Sequence, residues 1–182
     1  MSVKESIVLI GPAIALMIGC SAAPRAIDWR WGPVLPEARS ARATTGVGDM
    51  AVTVGGTSWK TVDGGKVKRW RRSVYALDPD AGWSMLPAYP HDAGYAAACA
   101  IDRRLIVVGG KDADRGHRET YVLDLDAAEP RWTPGPQLPR ARWGHVGGVI
   151  GSTVYVTGGF ESTPEGKGAP AASVLAWDTV SD

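Results

Sequence analysis

The chain has 182 residues, 45% hydrophobic and 21% charged, which gives it enough apolar content to bury a core and excludes a disordered segment. Twenty Lys and Arg nearly balance 19 Asp and Glu, for a formal net charge of +1, so the broad positive field of a nucleic-acid binder is missing and no nucleic-acid partner is expected. Twenty-three Gly and eight Trp against one Phe suit many short strands joined by tight turns, the composition of an all-β fold.

The N-terminus stands apart. A polar start, MSVKES, leads into the apolar run Ile7–Gly19, which is broken by Pro12 and ends at Cys20. A membrane-spanning helix needs about 20 apolar residues, so this run reads as a secretory signal. Met17-Ile18-Gly19-Cys20 resembles the lipobox of bacterial lipoproteins, with Met17 where Leu is usual. That resemblance implies cleavage before Cys20 and a diacylglycerol on its sulfur; an ordinary signal peptide cut near Ser21–Ala23 is the other reading. Residues 1–19 are thus expected to be a signal segment, 20–28 a linker and 29–182 the folded domain. The expected location is outside the cytoplasm, as a periplasmic or outer-membrane lipoprotein that meets a membrane only through its N-terminal lipid. Cys99, in the apolar run YAAACAI, is then the cysteine of the folded domain and reads as a buried, unreactive thiol with no disulfide partner.

From Trp29 onward three marks recur in a fixed order. Leu-Pro stands at Leu35-Pro36, Leu86-Pro87 and Leu138-Pro139. Gly-Gly follows at Gly55-Gly56, Gly109-Gly110 and Gly158-Gly159. A short apolar strand ending in Asp comes next: VYALD to Asp78, TYVLD to Asp124 and VLAWD to Asp178, with Trp83 and Trp132 after the first two. The period is about 50 residues, the length of a kelch unit. Each unit reads as four antiparallel strands. Strand A is small and apolar (TTGVGDM, YAAACAI, HVGGVI), and strand B ends in the glycine pair. Strand C alternates, with Tyr121, Leu123 and Leu125 on one face and Val122, Asp124 and Asp126 on the other; strand D carries the Trp. The glycine pairs are read as structural, permitting positive φ and close backbone approach where neighbouring units pack.

The whole order, from Trp29 to Asp178, resembles the kelch repeat. The resemblance implies an all-β kelch-type β-propeller. WRWGPVLP (29–36) matches RWTPGPQLP (131–139) and therefore reads as a D strand with no A, B or C before it. The expected order is D, ABCD, ABCD, ABC, about three blades where propellers typically have about four to eight. The expectation is a partial, six-bladed ring, the sequence being the front half of a longer product; a homodimer of two half-rings is the alternative.

The B–C and D–A connections should emerge on one face, where propellers meet ligands. In the D–A connections Arg39 and Arg142 stand at equivalent positions, with Ala93 in their place in the second blade; Arg42 and His145 align next, opposite Ala96. Two roles fit Arg39 and Arg142: bidentate binding of a carboxylate, or tying adjacent blades through backbone carbonyls. The first B–C connection, TSWKTVDGGKVKRWRR (57–72), carries Trp59 and Trp70 among Lys60, Lys66, Lys68, Arg69, Arg71 and Arg72, with Asp63 its one acid. It suits an anionic sugar, and equally a solvated loop whose Trp residues pack on the next blade. The second, KDADRGHRET, lacks the glycine of a calcium loop, so no metal is expected there, and no cofactor elsewhere. The third, FESTPEGKGAP, places Glu161 beside its glycine pair, as a conceivable acid/base group or a solvated carboxylate.

Gly55-Gly56-Thr57-Ser58-Trp59, Lys68-Arg69-Trp70 and Ala93-Gly94-Tyr95-Ala96 together resemble the cyclically permuted kelch mutarotases of the N-acetylneuraminate epimerase type, with Ala96 departing from a family glycine. That resemblance implies interconversion of anomers of an acidic sugar such as sialic acid by general acid/base catalysis, with an Arg on the sugar carboxylate. Candidate substrate-binding residues are Arg39, Trp59, Lys60, Trp70, Tyr95, Arg142 and His145, and Glu161 is the candidate catalytic residue. The alternative is a non-catalytic scaffold that binds protein or glycan at the propeller face. A copper radical oxidase also uses a kelch propeller, but Cys99 reads as buried and only His91, His117 and His145 are available, so it is set aside.

Overall fold

The computed structural model describes residues 28–180. The signal segment, Cys20 and the linker as far as residue 27 lie outside the described residues. The chain divides into two compact units, Met1–Gly32 and Pro33–Asp182. Of the first, Asp28–Gly32 carry no strand, and Trp29 and Trp31 are fully exposed.

The second unit is all-β. In chain order its first strands are β1 (Ala43–Val47), β2 (Met50–Val54), β3 (Thr57–Val62), β4 (Gly65–Trp70), β5 (Val74–Asp78) and β6 (Gly82–Leu86). Strands β1-β2-β5-β6 form an antiparallel four-stranded sheet, the first blade, while β3 and β4 pair with each other. The second blade contains β7 (Ala97–Ile101), β8 (Arg104–Val108), β9 (Thr120–Asp124) and β10 (Trp132–Pro134) in the same antiparallel order. Next come β11 (Arg142–Trp143), β12 (Val146–Ile150), β13 (Thr153–Thr157), β14 (Phe160–Ser162), β15 (Gly168–Pro170) and β16 (Val174–Asp178). Strands β12-β13-β16 make the third blade, with three strands among the described residues, and β11-β14-β15 make a small sheet beside it.

Two expectations need correction. Residues 29–36 form no ladder. A D strand exists only by bonding to a C strand; among the described residues β5 and β9 carry β6 and β10 on that edge, and β16 pairs only with β13. The first B–C connection is no loop but the hairpin β3–β4, closed by Asp63-Gly64 with φ of 49° and 78°. Both values lie in the left-handed region that a type I′ turn requires, and Asp-Gly supplies it cheaply.

The run LIVVGG (105–110) is explained by the two neighbours of the middle blade. On one face of β8, Leu105 and Val107 pack with Val52, Val54, Val74, Tyr89 and Leu123. On the other, Ile106 and Val108 pack with Cys99, Leu138, Val154 and Val156. A strand buried on both faces is apolar at every position rather than alternating. Burying each of these side chains stabilises the fold by about 1.5–3 kcal/mol. The innermost strands are small because they crowd: a Cβ on Gly147 would lie 3.2 Å from that of Ala97.

The glycine pairs form the seams between blades. Gly55 and Gly109 both have φ 61°, and Gly56 and Gly110 have φ 99° and 98°. In the first two pairs the first glycine donates its N–H to the residue before the C strand, Gly55 to Ser73 at 3.0 Å and Gly109 to Glu119 at 2.9 Å. The second donates to the next blade, Gly56 to the Ala93 carbonyl at 2.7 Å and Gly110 to the Arg142 carbonyl at 2.8 Å. A Cβ on Gly55 would collide with the Ala93 oxygen, and one on Gly109 would lie 2.5 Å from the Arg142 oxygen. A second set of bonds runs across the blades through equivalent residues of positive φ: the Tyr95 N–H donates to Ala41, and the Gly144 N–H to Tyr95, both at 2.7 Å.

Two glycine substitutions separate conformational cost from seam collision. Gly151 has φ 60° but open space around it, so Gly151→Ala is expected to cost about 1–2 kcal/mol in urea unfolding. Gly109→Ala adds a backbone collision to the same φ penalty and is expected to cost at least about 2 kcal/mol more.

Candidate functional site

The hairpin β3–β4 lifts its side chains off the first blade. Trp59 and Lys68 are directly paired across it, and Thr57 and Trp70 close its base. The Lys68 ammonium lies 4.6 Å from the Trp70 ring centre, 4.9 Å from that of Tyr95 and 5.9 Å from that of Trp59. It also donates to the Tyr95 hydroxyl at 3.0 Å. Tyr95 meets Trp70 edge-on, with ring centres 6.1 Å apart. A second lysine, Lys111, holds its ammonium 5.9 Å from the Trp70 ring and 5.6 Å from that of Trp143. Trp143 stacks on Phe160 at 6.3 Å. Lys68, Trp70, Tyr95, Lys111, Trp143, Gly144 and Phe160 line a cleft of about 290 Å³.

Local backbone holds these rings in place. Tyr95 has φ 58°, a left-handed conformation costly for an aromatic residue, fixed by its bonds to Ala41 and Gly144. Lys111 is fixed by reciprocal backbone bonds with Gly94 at 2.8 and 2.9 Å. Glycines give the tryptophans room: a Cβ on Gly94 would lie 3.0 Å from Trp70, and those on Gly116 and Gly168 would lie 2.7 and 2.6 Å from Trp143. The cleft thus holds two ammonium groups between aromatic planes, and no carboxylate lines it. Such a surface offers cation pairing to an anion and flat apolar faces to the ring that carries it.

Of the residues expected from sequence, Trp59, Trp70 and Tyr95 come together here. Lys60 does not, because it alternates with Trp59 along β3 and points to the other face of the hairpin. Arg39 and Arg142 are buried, and the ligand role is not the one realised. Arg39 donates Nη1 to the Gly55 carbonyl at 2.8 Å and Nη2 to Ser73 Oγ at 2.9 Å and Glu37 at 2.6 Å. Arg142 donates to the Ser173 carbonyl at 3.1 Å, to Ser173 Oγ and to Glu161. Their Nη donors are spent on carbonyls, serines and carboxylates at the seams. Glu161 is therefore held by Arg142, and it alternates along β14 with Phe160, which faces the cleft. It is not a base for that cleft. His145 is buried with its ring against Gly109 at the seam between the second and third blades, and burial together with the nearby Arg142 charge pushes its imidazole pKa down to about 4. Cys99 is buried, free, and pushed up to about 11 by burial.

The sequence reading missed Lys111, Trp143 and Phe160. A signal for two of them was present: Lys111 and Phe160 each follow a glycine pair, as Thr57 does at the base of the hairpin. Away from the cleft, His91, His117 and Glu119 bring one donor atom each within 4.8 Å of the others.

These sheets, seams and repeats give the described residues the fold of part of a kelch-type β-propeller. No protein-family model matches it. Kelch-like protein 34 of Homo sapiens is 35% identical over 95 residues, covering 51% of this chain and 15% of that protein. The N-acetylneuraminate epimerase of Brucella suis is 29% identical over 121 residues, covering 56% of this chain and 31% of the epimerase. Acyl-CoA-binding domain-containing protein 5 of Arabidopsis thaliana is 29% identical over 154 residues, 80% of this chain and 22% of that protein. The chain therefore spans less than a third of the length of each of these relatives, and it resembles the epimerase as a kelch propeller.

The buried His145 gives a pH dependence. Its folded pKa lies below the usual value of 6.5, so between about 4 and 6.5 the unfolded state binds the proton and the folded state does not. Stability is full above pH 6.5, falls as pH drops through that window, and levels below pH 4, a loss of about 3 kcal/mol from this group. Urea midpoints measured from pH 7.5 to 4 should show the slope, and His145→Gln should flatten it.

Proposed function

We propose that the Lys68–Trp70–Tyr95–Lys111–Trp143–Phe160 cleft binds an acidic sugar and that the chain is the sugar-facing part of an exported propeller. The observation that carries this reading is the pairing of two ammonium groups with stacked aromatic planes, with no lining carboxylate to repel an anion. The sugar carboxylate would pair with Lys68 and Lys111, and the ring would lie on an aromatic face. The similarity to the N-acetylneuraminate epimerase supports the choice of substrate class. It also supports mutarotation, in which a base takes the anomeric hydroxyl proton while an acid protonates the ring oxygen as its C–O bond breaks, and both proton transfers reverse as the ring recloses on the other face of the carbonyl. In that reading the Tyr95 hydroxyl, which accepts a hydrogen bond from Lys68, donates its proton to the departing ring oxygen and takes it back on reclosure, with water as the base at the anomeric hydroxyl. Export follows from the leader, with Cys20 as the lipid attachment site.

A second reading is a non-catalytic scaffold. The exposed Trp59 beside Lys68 favours it, since an aromatic ring that is 61% exposed suits a protein or glycan partner.

Titration of the full chain with N-acetylneuraminate, followed by calorimetry, is expected to show saturable binding that a neutral hexose does not reproduce. Lys68→Ala and Trp70→Ala should each weaken it by about tenfold or more, the worth of one desolvated cation–π or stacking contact. Saturation-transfer NMR then divides the readings. Faster exchange between anomer signals, lost in Tyr95→Phe, supports the isomerase; binding without added exchange supports the scaffold. Absence of binding overturns both uses of the cleft by an acidic sugar.

A further inference from the structure

We propose that His91, His117 and Glu119 form a binding site for one divalent transition-metal ion, with Zn²⁺ the cation this donor set suits, in the second blade and independent of the cleft. The inference starts from a comparison of the three blades. In the first and third, a buried arginine braces the seam, Arg39 on Ser73 and Arg142 on Ser173. In the second blade Ala93 stands at the arginine position, and Glu119 stands where the serines do, accepting the N–H of Gly109 as Ser73 accepts that of Gly55. His117 occupies the position of Arg71 and Ala171, since each donates its N–H to the second glycine of its own pair. The second blade has thus exchanged a guanidinium for two imidazoles and a carboxylate.

The donor atoms are arranged for a cation. His117 is 1% exposed, and neither ring nitrogen is aligned with a hydrogen-bond partner. Its Nδ1 lies 3.6 Å from Glu119 Oε2, and its Nε2 lies 3.2 Å from Asp112 Oδ2. Zinc bonds of about 2.0–2.2 Å set tetrahedral ligands about 3.3–3.5 Å apart, so one ion between Nδ1 and Oε2 needs little movement. Nε2–H is then free to turn onto Asp112, the outer carboxylate that metal-bound histidines commonly use. His91 is primed in the same way. Its Nδ1 lies 3.1 Å from the Asp92 carbonyl, to which it donates, and its Nε2 is buried without a partner. The two imidazole rings lie 4.0 Å apart. Arg115 donates to Glu119 Oε1, while Oε2 accepts the Arg118 N–H at 2.9 Å and keeps a lone pair toward His117 Nδ1. Three protein donors leave one tetrahedral position for water or a ligand.

The test uses the untagged full chain, stripped of metal and titrated with Zn²⁺ by calorimetry and with Co²⁺ by visible absorption. One Zn²⁺ per chain is expected, with the absorption bands of four-coordinate Co²⁺. His117 is deep in the core, so the decisive variants are the half-buried His91→Gln and Glu119→Gln, each checked for native circular dichroism. Both should lower affinity by at least about tenfold, Asp112→Asn by about 10–100-fold, and the nearby Asp114→Asn not at all. Failure of the folded wild-type chain to bind Zn²⁺ saturably, or binding equally well in both decisive variants, would overturn the site.

Discussion

The backbone hydrogen bond from the second glycine of each of the first two pairs to the next blade is the contact on which the structure depends. Gly56 reaches Ala93 and Gly110 reaches Arg142 at 2.7–2.8 Å, across a gap that no Cβ could share. A blade by itself is a small antiparallel sheet with two faces to cover. Only when the seam brings the sheets together can Leu105 and Val107 meet one neighbour while Ile106 and Val108 meet the other. Hydrophobic burial supplies the free energy, and the glycine seam fixes the spacing at which that burial occurs.

The seam also places the chemistry. Each glycine pair ends strand B and releases the chain onto the same face, so Thr57, Lys111 and Phe160 leave three successive blades at corresponding points. The bonds from Tyr95 to Ala41 and from Gly144 to Tyr95 run beside them and hold an aromatic residue in a left-handed conformation. The cleft is thus assembled from three blades by backbone contacts that are themselves part of the fold. Its lysines are preorganised by aromatic rings rather than by carboxylates, which leaves their charge available to an anion.

Variation at one repeated position sets the character of each seam. Where arginine is present, as at Arg39 and Arg142, its guanidinium satisfies carbonyls and hydroxyls that would otherwise be buried unpaired. Where Ala93 replaces it, the surrounding residues change with it to Glu119, His117 and His91. The side chains at a node answer to one another because they share one buried volume with a fixed backbone around it.

Much of the fold was legible in the sequence because its causes are local and repeated. The glycine pairs, the strands ending in Asp78, Asp124 and Asp178, and the two-sided apolar run at Leu105–Val108 each reflect a constraint that recurs in every blade. The Asp63-Gly64 turn was equally local, and its hairpin was readable from those two residues. The tertiary structure decided the rest. Whether Arg39 and Arg142 face a ligand or a seam depends on carbonyls supplied by distant strands. Lys68, Lys111, Trp143 and Phe160 become neighbours only when three blades pack, as do His91, His117 and Glu119 when two connections meet. A repeat announces itself along the chain because each copy solves the same local problem, whereas a site drawn from several copies exists only in the distances between them.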